Sequence, residues 1–93
     1  MSKVLQPLVG SLVDVNVKNL WRPVDPRIVD GELHYRSWTN HYEPRDGWNS
    51  YIITVTVIHV GRSNLTFIPC RTAIILTSDC AIWYVHVEHV RAS

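Results

Sequence analysis

Residues 51–60 read YIITVTVIHV, and this run constrains the fold more than any other part of the chain. Its density of Ile, Val and Thr suits a pleated, half-buried surface, because β-branched side chains are stiff in a helix and pack well on a sheet. Ile53, Val55 and Val57 are expected to face a core, with Ile52, Thr54, Thr56 and Ile58 on a partly covered second face. The same period of two recurs at 11–18, where Val13, Val15 and Val17 alternate with Leu12, Asp14, Asn16 and Lys18. It recurs again at 81–91, a long final strand with Trp83, Val85 and Val87 on one face, and more weakly at 32–39. Only residues 2–9 could be helical, and Pro7 and Gly10 limit them to one short N-terminal turn.

Turn chemistry divides these strands. GRSN at 61–64 is expected to join the central strand to 65–68 as a hairpin, and TSDC at 77–80 to join the next pair. Pro69 has no amide hydrogen to donate, so 65–77 is expected to be two short strands or one bulged strand. Asp30-Gly31 is a two-residue hairpin signal between Ile28 and Leu33, and Asp46-Gly47 marks a further turn. No internal repeat and no linker is evident, and 93 residues suit a single β domain spanning 1–93.

Composition narrows the function classes. With 18% charged residues and a net charge of +1, the chain has neither the bias of a disordered segment nor a field strong enough for sequence-independent nucleic-acid binding. The N-terminus lacks the unbroken apolar core of a signal peptide, and no run is long and apolar enough for a membrane span, so the expected location is cytoplasmic. Cys70 and Cys80 match no zinc or redox spacing and are expected to be free thiols.

The segment 19–50 differs from the rest. It holds Pro23, Pro26 and Pro44 and three of the four tryptophans, which marks an aromatic, proline- and arginine-rich loop region. Within it, Tyr35, Arg36, Trp38, His41, Tyr42, Arg45 and Trp48 are the candidate ligand- or partner-binding residues, with His34 among them in sequence. Aromatic faces stack on bases or sugars, guanidinium groups bridge to phosphate or carboxylate, and Trp, Tyr and Arg dominate protein interface hot spots. The competing structural account has the tryptophans closing the ends of a small barrel and the arginines pairing with Glu43 and Asp46.

Metal and catalytic sites find less support. His86 and Glu88 stand two apart on one expected strand face, but no third ligand has suitable spacing. If Thr77 faces Cys80 across a two-residue turn, His86 falls opposite Arg71, and a Glu88, His86 and Arg71 polar ladder is the simpler outcome. There is no nucleophile elbow, phosphate loop or HExxH motif, so no enzyme, cofactor or metal is expected.

LVGSLVDVNVK, DGEL and LTFIPCRTAIIL together resemble the Sm-like small barrel. In that resemblance Val13, Val15 and Val17 form the first strand, Gly31 and Leu33 the bend, 69–72 a one-turn link and 73–76 the fifth strand. It implies RNA binding, with Asn40 nearest to the family's RNA-contacting asparagine. The long proline-rich first connection and the additional strand at 81–91 depart from the pattern. The expected fold is therefore all-β, a five- to six-stranded antiparallel barrel or sandwich of SH3-like or Sm-like type. The expected function is a binding or adaptor domain making protein–protein contacts, or homo-oligomeric contacts, through residues 34–51. Single-stranded RNA or DNA binding, a viral or mobile-element accessory role against a host factor, and carbohydrate binding are the alternatives.

Overall fold

A computed structural model describes residues 9–40 and 52–93. The described residues are mostly β, as their alternation predicts. In chain order the strands are β1 (Leu12–Asn16), β2 (Arg22–Val24), β3 (Arg27–Val29), β4 (Glu32–His34), β5 (Ser37–Thr39), β6 (Ile52–Leu65), β7 (Ile68–Leu76), β8 (Ile82–His86) and β9 (Val90–Ala92). Single 3₁₀ turns at Val17–Asn19 and Val87–His89 follow β1 and β8. The expected helical turn at 2–9 falls almost wholly outside the described residues.

Five strands form one antiparallel sheet in the order β8-β7-β6-β1-β9. Its two outermost strands are consecutive in the chain, separated only by Val87–His89. Five strands laid flat would span about 19 Å at ~4.8 Å per step, whereas three residues of 3₁₀ helix advance only about 6 Å. The sheet therefore coils enough to bring the His86 end of β8 near the Val90 end of β9, but no pairing between β8 and β9 closes it into a barrel among the described residues. Trp21 takes part of the β8 edge through two backbone hydrogen bonds with Tyr84, of 2.8 and 2.7 Å.

Alternation places the core as expected. Val13, Val15 and Val17 from the first segment, Val55 and Val57 from β6, Ala73 and Ile75 from β7, and Trp83, Val85 and Val87 pack together with Leu20 and Val90. Burying each Val, Leu or Ile contributes about 1.5–3 kcal/mol.

Three expectations change. The turn after β6 is not at 61–64: β6 continues through those residues, and the chain reverses at Thr66-Phe67, with Leu65 paired to Ile68. The longer hairpin adds backbone pairs and brings Leu65 and Cys70 into buried positions that a turn at 61–64 would forgo. One extra residue, Ile58, is absorbed by a bulge between Val57 and His59, so the irregularity lies on β6 and β7 runs unbroken past Pro69.

The second change concerns β8. The loop is Ser78–Asp79–Cys80, with Thr77 N–H bonded to the Ala81 carbonyl and Cys80 in left-handed backbone (φ +67°). This is a three-residue hairpin loop, and its added residue shifts the register by one. His86 then faces Thr72, not Arg71, and the expected Glu88, His86 and Arg71 ladder does not form. The core decides between the registers: this one sets Ile75 opposite Trp83 and Ala73 opposite Val85, all buried, whereas a one-residue slip would turn one strand's apolar set outward.

Third, the final strand is interrupted, and the interruption repeats an earlier one. The strands β1 and β8 share one burial pattern, and each passes into a 3₁₀ turn whose first residue is a buried valine and whose closing residue, Leu20 or Val90, is also buried. Asn16 Oδ1 accepts from Lys18 N–H at 3.0 Å, and His86 Nδ1 accepts from Glu88 N–H at 3.1 Å. LVDVNVKNL and IWYVHVEHV are thus one local structure written twice. Only two of nine positions are identical, which is why no repeat is visible in the sequence.

Candidate aromatic interface

Between β1 and β6, residues 22–39 form a single long hairpin. The β2–β5 and β3–β4 pairs continue one register, from Arg22 opposite Thr39 to Val29 opposite Glu32, closing at Asp30-Gly31. Pro26 interrupts it, and Asp25 takes left-handed backbone (φ +54°) at the bend. Arg36 braces this kink, its N–H donating to the Val24 carbonyl and its guanidinium lying 3.5 Å from the Asp25 carboxylate. Both charged groups are exposed, so the pair contributes at most about 1 kcal/mol.

The inner half of this arm carries the aromatic site. Tyr35 sits at the kink and Trp38 at the centre of β5, with ring centroids 4.8 Å apart. Trp38 meets Tyr84 of β8 edge-on at 5.2 Å. Tyr35 leans on Phe67 at 5.7 Å and donates its hydroxyl hydrogen to the Asn64 carbonyl at 3.1 Å. The result is a run of four rings from the β8 face to the tip of the β6–β7 hairpin. Burial pushes the Tyr84 phenol above its ordinary value. Phe67, at the outer end of the run, is 63% exposed.

A small polar cluster joins β6 to β7. Ser63 and Thr72 hydroxyls share a hydrogen bond of 2.7 Å, and the Cys70 thiol lies 3.5 Å from the Thr72 hydroxyl. Cys70 and Cys80 are free thiols, the first buried and the second exposed, in line with expectation. On the other side of β8, the Arg22 guanidinium lies 4.7 Å from the centre of the Trp83 ring.

Of the candidate residues, Tyr35, Arg36 and Trp38 are brought to this surface, with Trp38 half-buried against Tyr84 and Arg36 beside Asp25, while Glu43 and Asp46, the expected arginine partners, lie outside the described residues. His41, Tyr42, Arg45 and Trp48 lie outside the described residues. His34 is exposed on β4, 3.8 Å from the Glu32 carboxylate. Asn40 acts as a structural tie, its amide donating to the carbonyls of Lys18 at 2.9 Å and Leu20 at 2.5 Å and so fastening the arm to the first 3₁₀ turn. Phe67 and Tyr84 belong to the site without having been expected there. The chain's one phenylalanine stands inside the expected strand 65–68, so only its closeness to Pro69 hints at a different role.

His86 and Glu88 are joined through the backbone cap, and among the described residues no group of three or more His, Cys, Asp or Glu side chains could hold a metal ion. No described helix is long and apolar enough to cross a membrane. No protein-family model, curated protein or solved structure matches this chain.

Proposed function

We propose that this chain is a non-enzymatic binding module of the SH3-like or Sm-like small-barrel type, receiving a protein partner on the surface of Tyr35, Arg36, Trp38 and Phe67. The barrel reading draws support from the strand order, in which the first and last strands are neighbours and both sheet edges come from one ribbon, β8–β9. One observation carries the functional reading: Phe67, a large apolar ring, is held exposed in left-handed backbone (φ +68°) against Tyr35, at the outer end of a run that continues through Trp38 to Tyr84. Such a conformation costs about 1–2 kcal/mol for a residue other than glycine, and strain of this kind is concentrated at sites of recognition. The rings supply the apolar anchor typical of protein hot spots. Nucleic acid is the weaker reading, because Arg36, the nearest described cation in the candidate set, is already neutralised by Asp25. Two free thiols suit a reducing, cytoplasmic setting.

The test is a photo-crosslinking phenylalanine analogue at position 67 in cells. A protein adduct that disappears on Tyr35→Ala, and that the same analogue at Leu12 does not give, is the expected result. Adducts only with nucleic acid, or equal adducts from both positions, would overturn the proposal.

A further inference from the structure

The outer half of the arm, β3 and β4, goes beyond this reading because it presents a second surface. It is a two-stranded sheet of three residues per strand, and neither outer edge has a strand partner among the described residues. Ile28 is 71% exposed and Val29 45% exposed, and Ile28 stands opposite Leu33 on one face. A two-stranded hairpin alone is marginal in water, and an open edge carrying apolar residues is a template for another strand.

The edges differ in what they can accept. Antiparallel self-pairing of β3 centred on Ile28 would set Arg27 against Val29 of the second copy, which offers no complementarity. The same pairing of β4 centred on Leu33 sets Glu32 against His34 of the second copy, and the reciprocal pair by symmetry. An imidazole has an N–H to donate to a carboxylate whether neutral or protonated, so acceptor meets donor twice. Within one chain these groups already approach to 3.8 Å. The apolar face becomes continuous, running Ile28, Leu33, Leu33 and Ile28 across four strands.

We infer that β4 (Glu32–His34) is a self-complementary edge through which two copies of this chain pair antiparallel about Leu33. An isologous contact of this kind closes at two copies and leaves the rings at Phe67 free.

The decisive geometry is at Leu33. Directly opposed residues in an antiparallel pair have Cα atoms about 4.5–5.5 Å apart, inside the range a disulfide spans. In a Cys80→Ser background, which removes the exposed thiol, Leu33→Cys is expected to form a disulfide dimer under mild oxidation. Ile28→Cys is expected to form no disulfide, its symmetry mate in the same dimer lying three strand spacings away, about 14 Å. In sedimentation of the full chain, Glu32→Lys is expected to weaken dimerisation by about tenfold, and Glu32→Lys with His34→Glu to restore it. Equal cross-linking of the two cysteine variants, failure of the charge exchange to restore the dimer, or capture of a different protein at position 33 would each overturn the inference. None of these results bears on the adduct expected at Phe67.

Discussion

Two hairpins on this molecule, β3–β4 and β6–β7, reverse direction through the same backbone and opposite chemistry. At one tip Asp30 and Gly31 have φ of +52° and +81°, and at the other Thr66 and Phe67 have +51° and +68°. Left-handed backbone at both central positions matches the right-handed twist of the flanking strands, and Asp-Gly is among the pairs that adopt it most easily. Thr and Phe are among the residues least suited to it, Thr because of its branched β-carbon. The contrast teaches that the first turn is specified locally, whereas the second is imposed by its surroundings: by the register of β6 and β7, by the Tyr35 hydroxyl on the Asn64 carbonyl, and by the ring contact between Tyr35 and Phe67.

The contrast can be broken first at the strained tip. Thr66→Asn with Phe67→Gly relieves two unfavourable residues at about 1–2 kcal/mol each and loses one ring contact of about 0.5–1.5 kcal/mol. The expected net gain is about 1.5 kcal/mol, or a rise in Tm of roughly 6–12 °C for a domain of this size. A fall in Tm would mean that the ring contact outweighs the strain. At the relaxed tip, Gly31→Val is expected to cost about 1–2 kcal/mol, felt only as faster amide exchange across 27–34, with the core amides of β6 and β7 unchanged. Loss of protection in the core would show that the arm and the sheet unfold as one unit.

A third loop sharpens the comparison. Cys80 takes left-handed backbone at an exposed position, and Cys80→Gly is expected to raise stability in urea titration by about 1 kcal/mol. In the same loop the Thr77 hydroxyl donates to the Asp79 carboxylate and holds its carboxyl below the ordinary value, with backbone donors adding to the effect. A folded-state value below the unfolded one stabilises at pH above the unfolded carboxylate range, and this contribution is lost as pH falls through the folded value. Asp79→Asn is therefore expected to flatten a small part of the stability change below about pH 4, the smallest of these effects because the carboxylate is exposed.

Legibility follows the same division. Alternation alone located the core valines of β1, β6 and β8, and Asp30-Gly31 announced its hairpin, because both are properties of neighbouring residues. The turn at Thr66-Phe67, the bulge at Ile58 and the one-residue shift of β8 depend on how distant strands meet, and no local rule specifies them. In the candidate site, Tyr35 and Trp38 stood out as aromatic residues in a proline-rich stretch. Tyr84 did not, since on a strand it reads as an ordinary outward-facing position until the arm is seen folded over it.

The ribbon β8–β9 supplies both outermost strands of the sheet, and β9 pairs with β1 across almost the whole length of the chain, Val13 against Ala92. During synthesis, residues 12–76 can form the β6–β7 hairpin but must wait for 82–92 before either edge is covered. Contacts this distant in sequence are slow to close. The exposed β1 and β7 edges are then open to wrong pairing for as long as residues 82–92 are undocked.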